Sequence, residues 1–364
     1  LLFVASAAWA NSYTPTRFDD PRLDGCKKAD CSLREALIAA NAHAGLDVIV
    51  LSGGATYNLS RKNPGGIEDD NARYGDLDVT DNVRIVGTHH KLATVNANGI
   101  DRVFDVAPTG PATAQFSYLR IRGGVTKGAG GGVNVGAEGE GKFSYTAISG
   151  NQGDVGGGIA GLKAPPAYSN LRIMNSTING NKVLSGGFGG GIDAEGALTA
   201  TNSTITGNNG SDFGGGIESP SNGAPLNLSS LTLVRNTATV GGGIRDNGNA
   251  GTLRNSIVAL NTGSTDPDCS ASGLTGAAGN PNLFSDLSPS TADCSVYGSG
   301  EILGSPPFHL GKLSHDGGPT ATVPLLRGSP LINDAGPDSP SRDQRGFKRD
   351  SKPDIGAYEF GAKP

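Results

Sequence analysis

Between residues 126 and 265 apolar and polar positions alternate in runs too short for helices. Asn202-Ser203-Thr204-Ile205-Thr206 shows the type, with Ile205 on one side and its neighbours on the other. That is the period-two pattern of a strand. Two markers frame these runs. A triple glycine followed by Val133, Ile159, Ile192, Ile217 or Ile244 begins at Gly130, Gly156, Gly189, Gly214 and Gly241, at offsets of 26, 33, 25 and 27 residues. Asparagines close a second set of runs at Asn151, Asn181, Asn208, Asn236 and Asn261, at offsets of 30, 27, 28 and 25. Two markers with one period define a repeating unit, and periods of this length signal a solenoid. Gly, Asn, Thr and Ser are poor helix-interior residues. The expected fold is therefore all-β: a single-stranded parallel β-helix, right-handed by the crossover preference, with coils stacked about 4.8 Å apart. Asn at the coil corners can adopt the left-handed conformation and stack into ladders.

Upstream of the repeats the pattern changes. Ser32-Leu33-Arg34-Glu35 has the form of a capping box. Leu33, Ala36, Leu37 and Ala40 then mark one face of a helix that should end near Gly45. Asp47-Val48-Ile49-Val50-Leu51 reads as a strand. The helix is expected to close the N-terminal end of the solenoid, since terminal coils need caps.

Composition sharpens this picture. Of 364 residues 58 are Gly and 5% are aromatic, which suits a narrow stack of small aliphatic side chains. The net charge of −5, without a basic run, argues against nucleic acid or an anionic membrane as partner. Leu1-Leu2-Phe3-Val4-Ala5-Ser6-Ala7-Ala8-Trp9-Ala10 resembles the end of a signal peptide, with the mature start expected near Asn11. No stretch is long enough for a transmembrane helix. In an exported chain Cys26 with Cys31 and Cys269 with Cys294 read as two disulfides closing short loops. Their spacing does not suit zinc.

Asp30-Cys31-Ser32-Leu33-Arg34-Glu35-Ala36, continuing through Asn41, resembles the CSLREA-box family of exported bacterial β-helix proteins. Gly75-Asp76-Leu77-Asp78-Val79-Thr80, Val83-Arg84-Ile85-Val86-Gly87 and Asn98-Gly99-Ile100-Asp101-Arg102-Val103-Phe104 fit the first coils of that family. Asp316-Gly317-Gly318-Pro319-Thr320, Gly328–Gly336, Asp343-Gln344-Arg345-Gly346-Phe347 and Asp354-Ile355-Gly356-Ala357-Tyr358-Glu359 resemble its choice-of-anchor C-terminal module. More loosely, the repeats are similar to those of polymorphic outer-membrane adhesins. The resemblance implies the β-helix, export, and a secreted or cell-surface location. Residues and resemblance together give this expected organisation: residues 1–10 the end of a signal peptide, 11–74 an N-terminal cap, 75–265 the coils, 266–300 a disulfide-bearing loop, and 301–364 a C-terminal capping module ending in a strand at Ile355–Phe360. Whether an anchor applies is left open.

Chemistry is sought where coils align. The residue after each Gly-Gly-Gly-Ile/Val forms a column of Asn134, Ala160, Asp193, Glu218 and Arg245, with Asp246 one place further on. Three uses are open. The column is an ordinary exposed ladder in which Glu218 pairs with Arg245 for a few tenths of a kcal/mol. Or Asp193, Glu218 and Asp246 bind Ca²⁺ and Arg245 serves as base or clamp in a polysaccharide lyase acting on a polyuronate. Or Asp193 and Glu218, with Asp154 and Asp212 as alternates, are the carboxylate pair of a glycoside hydrolase. The column has no aromatic platform; Phe213 and Tyr168 are the nearest candidates in sequence. Asp343, Arg345 and Asp354 read as local ion pairs that fix loops. His89-His90 cannot share a metal from adjacent strand positions. The leading expectation is a monomeric, non-catalytic, adhesin-like scaffold that binds polysaccharide or matrix and needs no cofactor.

Overall fold

The computed structural model describes residues 10–65, 68–220, 224–248, 250–286, 307–364 and the backbone of 302–303. The expected signal segment and Cys294 lie outside them, apart from Ala10. Short parallel strands form a β-helix with three long sheets of ten, eight and ten strands. The first sheet runs from Ser12–Tyr13 through Thr113–Ser117 and Asn170–Met174 to Leu274–Gly276. The second carries the triplets that follow the triple glycines, such as Ile192–Ala194 and Ile217–Ser219. The third carries the runs that precede the marker asparagines, such as Thr177–Asn179 and Thr204–Thr206. The longest offset, 33 residues, accommodates a small antiparallel hairpin, Lys163–Ala164 with Ala167–Tyr168.

Equivalent residues stack in register. Ile121, Ile148, Ile178, Ile205, Leu233 and Val258 form one inward column of the third sheet. Val133, Ile159, Ile192, Ile217, Ile244 and Cys269 do the same in the second. Phe104, Phe116 and Phe143 pack together in the core of the early coils, with ring centroids 4.9 and 5.1 Å apart. Cys269 replaces the aliphatic residue of its column and is itself disulfide-bonded. Cys26 and Cys31 are bonded to each other.

The marker asparagines form a buried ladder. Each side-chain amide donates to the Oδ1 of the next, at 3.0, 3.0, 2.9 and 3.1 Å from Asn151 to Asn261. Each also donates to a backbone carbonyl of the preceding coil, from Ile121 to Leu233. The left-handed residue at this corner is the one before the asparagine: Gly150, Gly180, Gly207, then Arg235 and Leu260. Left-handed asparagines occur instead at the corner between the first and third sheets, at Asn175, Asn202 and Asn255.

The helix spans Leu33–Asn41 with both capping-box bonds present. It stops four residues before Gly45, because Asn41 turns to the first coil, donating to Asp78 O at 2.7 Å and accepting from Thr80 N at 3.0 Å. Its predicted apolar face is buried, and so are Arg34 and Glu35 on the other side. Arg34 meets Asp20 bidentately at 2.8 and 3.0 Å and donates to the carbonyls of Ala72, Gly75 and Asp76. Among the described residues no helix is long and apolar enough to cross a membrane.

The C-terminal segment runs along the side of the solenoid. Residues 307–357 lie lengthwise on the outer face of the third sheet. Gln344 donates to Thr177 Oγ1 and Thr320 Oγ1 and accepts from Thr204 Oγ1 at 2.6 Å. Gly356 donates to Asn255 O, and Ala357 to Thr232 Oγ1. A second apolar core forms beneath, joining Val234, Ile257 and Leu283 to Phe308, Leu331 and Ile355. Ile355–Phe360 is not a strand: its backbone folds into bends around buried Arg345 and Arg349. Those arginines pair with Asp343 and Glu359, while Asp354 accepts from the backbone of Asn333 and Phe360. The expected ion-pair role therefore fits Arg345 and Asp343.

Candidate functional site

The second sheet brings the predicted column together and extends it. Asp78, Asp105, Asn134, Ala160, Asp193, Glu218, Arg245 and Ser270 occupy equivalent positions in successive coils. Asp246 is on the neighbouring line with Ser219. Successive strand residues face opposite ways, so Asp246 leaves the column and points to the core side.

The column is neither an open groove nor an exposed ladder. Asp193 is 4% exposed and Glu218 2%. The triple glycines are the reason. The turns stack coil on coil through Val155, Phe188, Phe213, Val240 and Thr265, then fold back over the strand that follows. At Gly189, where φ is +66°, a Cβ would stand 2.6 Å from Ile192 O and 2.8 Å from the Asp193 Cβ. Without side chains the turn closes directly on the column.

Burial then sets the electrostatics. Glu218 accepts from Arg245 Nη1 at 2.5 Å, yet removal from water still pushes its carboxyl up to about 7. Burial raises the Asp193 carboxyl well above the usual range, with Glu195 and Glu218 adding to the effect. Arg245 is partly covered by Phe213, whose ring centroid is 4.2 Å from its guanidinium carbon and which packs against Phe188. The expected Glu218–Arg245 pair exists, but its carboxylate is buried and only its arginine is partly exposed. Asp154 and Asp212 are half-buried on the turns.

Among the described residues one group brings an oxygen from each of four carboxylates within 4.8 Å of one another, and it is not Asp193, Glu218 and Asp246. It consists of Glu68, Asp76, Asp78 and Asp105, at the N-terminal end of the same column. Arg102 Nη1 reaches Asp105 at 2.7 Å, Asp76 at 2.9 Å and Glu68 at 3.4 Å. Burial raises Asp76 well above the usual carboxylate range, lifts Asp78 to about 8, and raises Asp105 despite Arg102. The sequence carried a signal for these residues. Leu77-Asp78-Val79 and Phe104-Asp105-Val106 share the apolar–polar–apolar triplet of Val133-Asn134-Val135 without its triple glycine.

The three sheets differ in what covers them. Second-sheet strands are buried at nearly every position, Arg245 excepted. Later third-sheet strands are buried throughout, because the C-terminal segment lies on them. Burial alternates repeatedly along the first sheet, as in Thr113–Ser117, Glu140–Ser144 and Ala197–Thr201, and in the third sheet at early strands such as Leu119–Arg122. The first sheet's outward line includes Arg84, Gln115, Lys142, Arg172, Thr199 and Asn227. Glu140 pairs there with Lys142 at 2.7 Å and Arg172 at 3.1 Å. A shallow depression of about 410 Å³ opens between these side chains and the exposed Met174. At the corner beside it Tyr118 and Tyr145 stack with centroids 5.0 Å apart, an aromatic pair that sequence spacing did not reveal.

No protein-family model matches the chain, and no curated protein matches its sequence. Among solved structures the chain is similar to "Crystal structure of pectate lyase Pel9A", over 97% of each chain, with 14% identity and a TM-score of 0.46. The protein is a parallel β-helix of about eight turns, as its strand pairing shows.

Proposed function

We propose that this protein is an exported, secreted or cell-surface scaffold that binds an extended polar polymer, a polysaccharide or matrix glycan, along the open face of its first sheet. The observation carrying this reading is the alternating burial that persists along that sheet from Asp47–Leu51 to Ala197–Thr201, where later strands of the other two sheets are covered. It leaves a straight line of donors and cations spaced at the strand repeat, about 4.8 Å. Many weak hydrogen bonds along a rigid line suit a repetitive ligand that can occupy several coils at once. The mixed signs of Glu140, Lys142 and Arg172 favour a polar sugar chain over a purely ionic one. Export and surface location rest on the resemblance to the CSLREA-box family and agree with the disulfide.

Lyase or hydrolase chemistry at Asp193, Glu218 and Arg245 has less support. A polymer would have to reach carboxylates that lie beneath glycine turns. The experiment is affinity electrophoresis of the full chain through gels containing neutral and acidic polysaccharides, with Arg172→Ala and Lys142→Ala as variants. Retardation by at least one polymer, weakened in both variants, is expected. In parallel, ultraviolet absorbance of unsaturated sugar ends is followed on polyuronates with Ca²⁺. An increase that Arg245→Ala abolishes would replace the scaffold reading with a lyase.

A further inference from the structure

Four carboxylates converge at the start of the second sheet, and three of them, Glu68, Asp76 and Asp105, share one guanidinium, that of Arg102. Asp76 and Asp78 are 0% exposed and Asp105 is 5% exposed. With all four ionised, Arg102 would offset one negative charge and leave three. The hydrogen bonds do not complete the site either. Asp76 Oδ2 accepts from Arg102, Asp78 Oδ2 from Ala72 N, and Asp105 Oδ1 from Asn134 Nδ2. Oδ1 of Asp76 and Oδ1 of Asp78 are buried with no hydrogen-bond partner, as is Oδ1 of Asn134 next along the column. A buried anionic oxygen without a partner is costly. Two such oxygens among four converging carboxylates point to a missing positive charge.

We propose that Glu68, Asp76, Asp78 and Asp105 form a binding site for a hard divalent cation, with calcium as its ligand. The donor set is all oxygen, without Cys or His, which disfavours zinc and the softer metals. Calcium tolerates irregular carboxylate geometry and takes six to eight oxygens, whereas magnesium demands a near-octahedral shell and retains its waters. Access is available. Glu68 and Arg102 line a cavity of about 580 Å³ open to solvent, and an ion would approach the cluster from that side. Arg102 remains as the second counter-ion.

The position gives the cation a structural role. Asp76 and Asp78 belong to one coil, Asp105 to the next, and Glu68 to the loop between the cap and the coils. Arg34 already pins the end of that loop and the start of the coil through the carbonyls of Ala72, Gly75 and Asp76. The ion would fasten the loop from the opposite side, joining cap, loop and first two coils.

The test is calorimetric titration of chelator-treated full chain with CaCl₂, together with thermal melting. One site is expected, with a Tm several degrees higher at saturating Ca²⁺. Asp78→Asn should weaken binding at least tenfold. Glu68→Gln changes an exposed residue and should weaken binding severalfold with little change in the unliganded Tm; it keeps the test decisive if Asp78→Asn does not fold. Asp193→Asn, in the same column, should bind as the parent does. No heat and no Tm shift at about 10 mM Ca²⁺, well above the weakest range of extracellular calcium modules, would overturn the proposal. So would unchanged affinity in Glu68→Gln. Polysaccharide retardation is read separately, so either reading can fail without the other.

Discussion

Asp268 Oδ1 accepts from Asn261 Nδ2 at 3.0 Å, so a carboxylate ends the asparagine ladder where the next amide would stand. Its other oxygen accepts from Ser285 N, Ser285 Oγ and Asp286 N at 2.7–2.8 Å. Every neighbour is a donor, which an amide cannot match. Asp268→Asn should turn an N–H toward these donors and cost about 2–4 kcal/mol, measured by urea unfolding.

Within the ladder the cost of a change should follow burial. Asn208 accepts from the backbone and side chain of Asn181 and donates to Asn236 and Ile178 O. Asn208→Ala strands several buried groups and should cost about 3 kcal/mol or more. Asn209→Ala, one residue on and exposed, should cost under about 1 kcal/mol. Equal losses at the two positions would contradict the ladder's role.

Glu218 gives a pH signature. Its folded-state carboxyl stands near 7, above its ordinary 4.5, so the folded protein holds the proton more tightly than the unfolded chain. Its contribution is therefore most favourable below about 4.5 and is lost as pH rises through 7. Glu218→Gln should remove this slope. Relative to the parent, the variant should gain about 1–3 kcal/mol between those limits, read from Tm or denaturant midpoints across pH.

Gly189 tests the closure of turn on column. Alanine there would adopt φ +66° and press on Ile192 O. A loss of about 2 kcal/mol or more is expected, with Asp193 more exposed to solvent, as hydrogen exchange at residues 192–194 would report.

Much of the architecture could be read because stacking in register turns a sequence offset into a spatial neighbour. The spacing of Asn151 to Asn261 anticipated a ladder, and that of the triple glycines placed Asp193, Glu218 and Arg245 in one line. What covers each line could not be read. Thr204 and Thr206 flank Ile205 in the pattern of a half-exposed strand, but Thr204 is buried because Gln344, 140 residues later, lies on it. The turns over Glu218 hid the same fact in another form, since glycine gives no hydrophobic signal of the surface it closes. Asp78 and Asp105 lie outside the glycine repeat and so outside the column that its spacing defines.

The strap formed by the C-terminal segment changes how this molecule can fold. A bare solenoid couples each coil only to its neighbours and can zip from any point or fray from either end. Here Gln344 bridges to Thr177, 167 positions away, and Arg349 reaches Asn202, 147 positions away. The middle coils therefore cannot bury their third face until residues 342–357 are available. Assembly would end in a late closing step of high contact order, after which loosening one coil disturbs the strap over several others. A chain that emerges gradually from its N-terminus would remain incomplete along that side until the strap comes down.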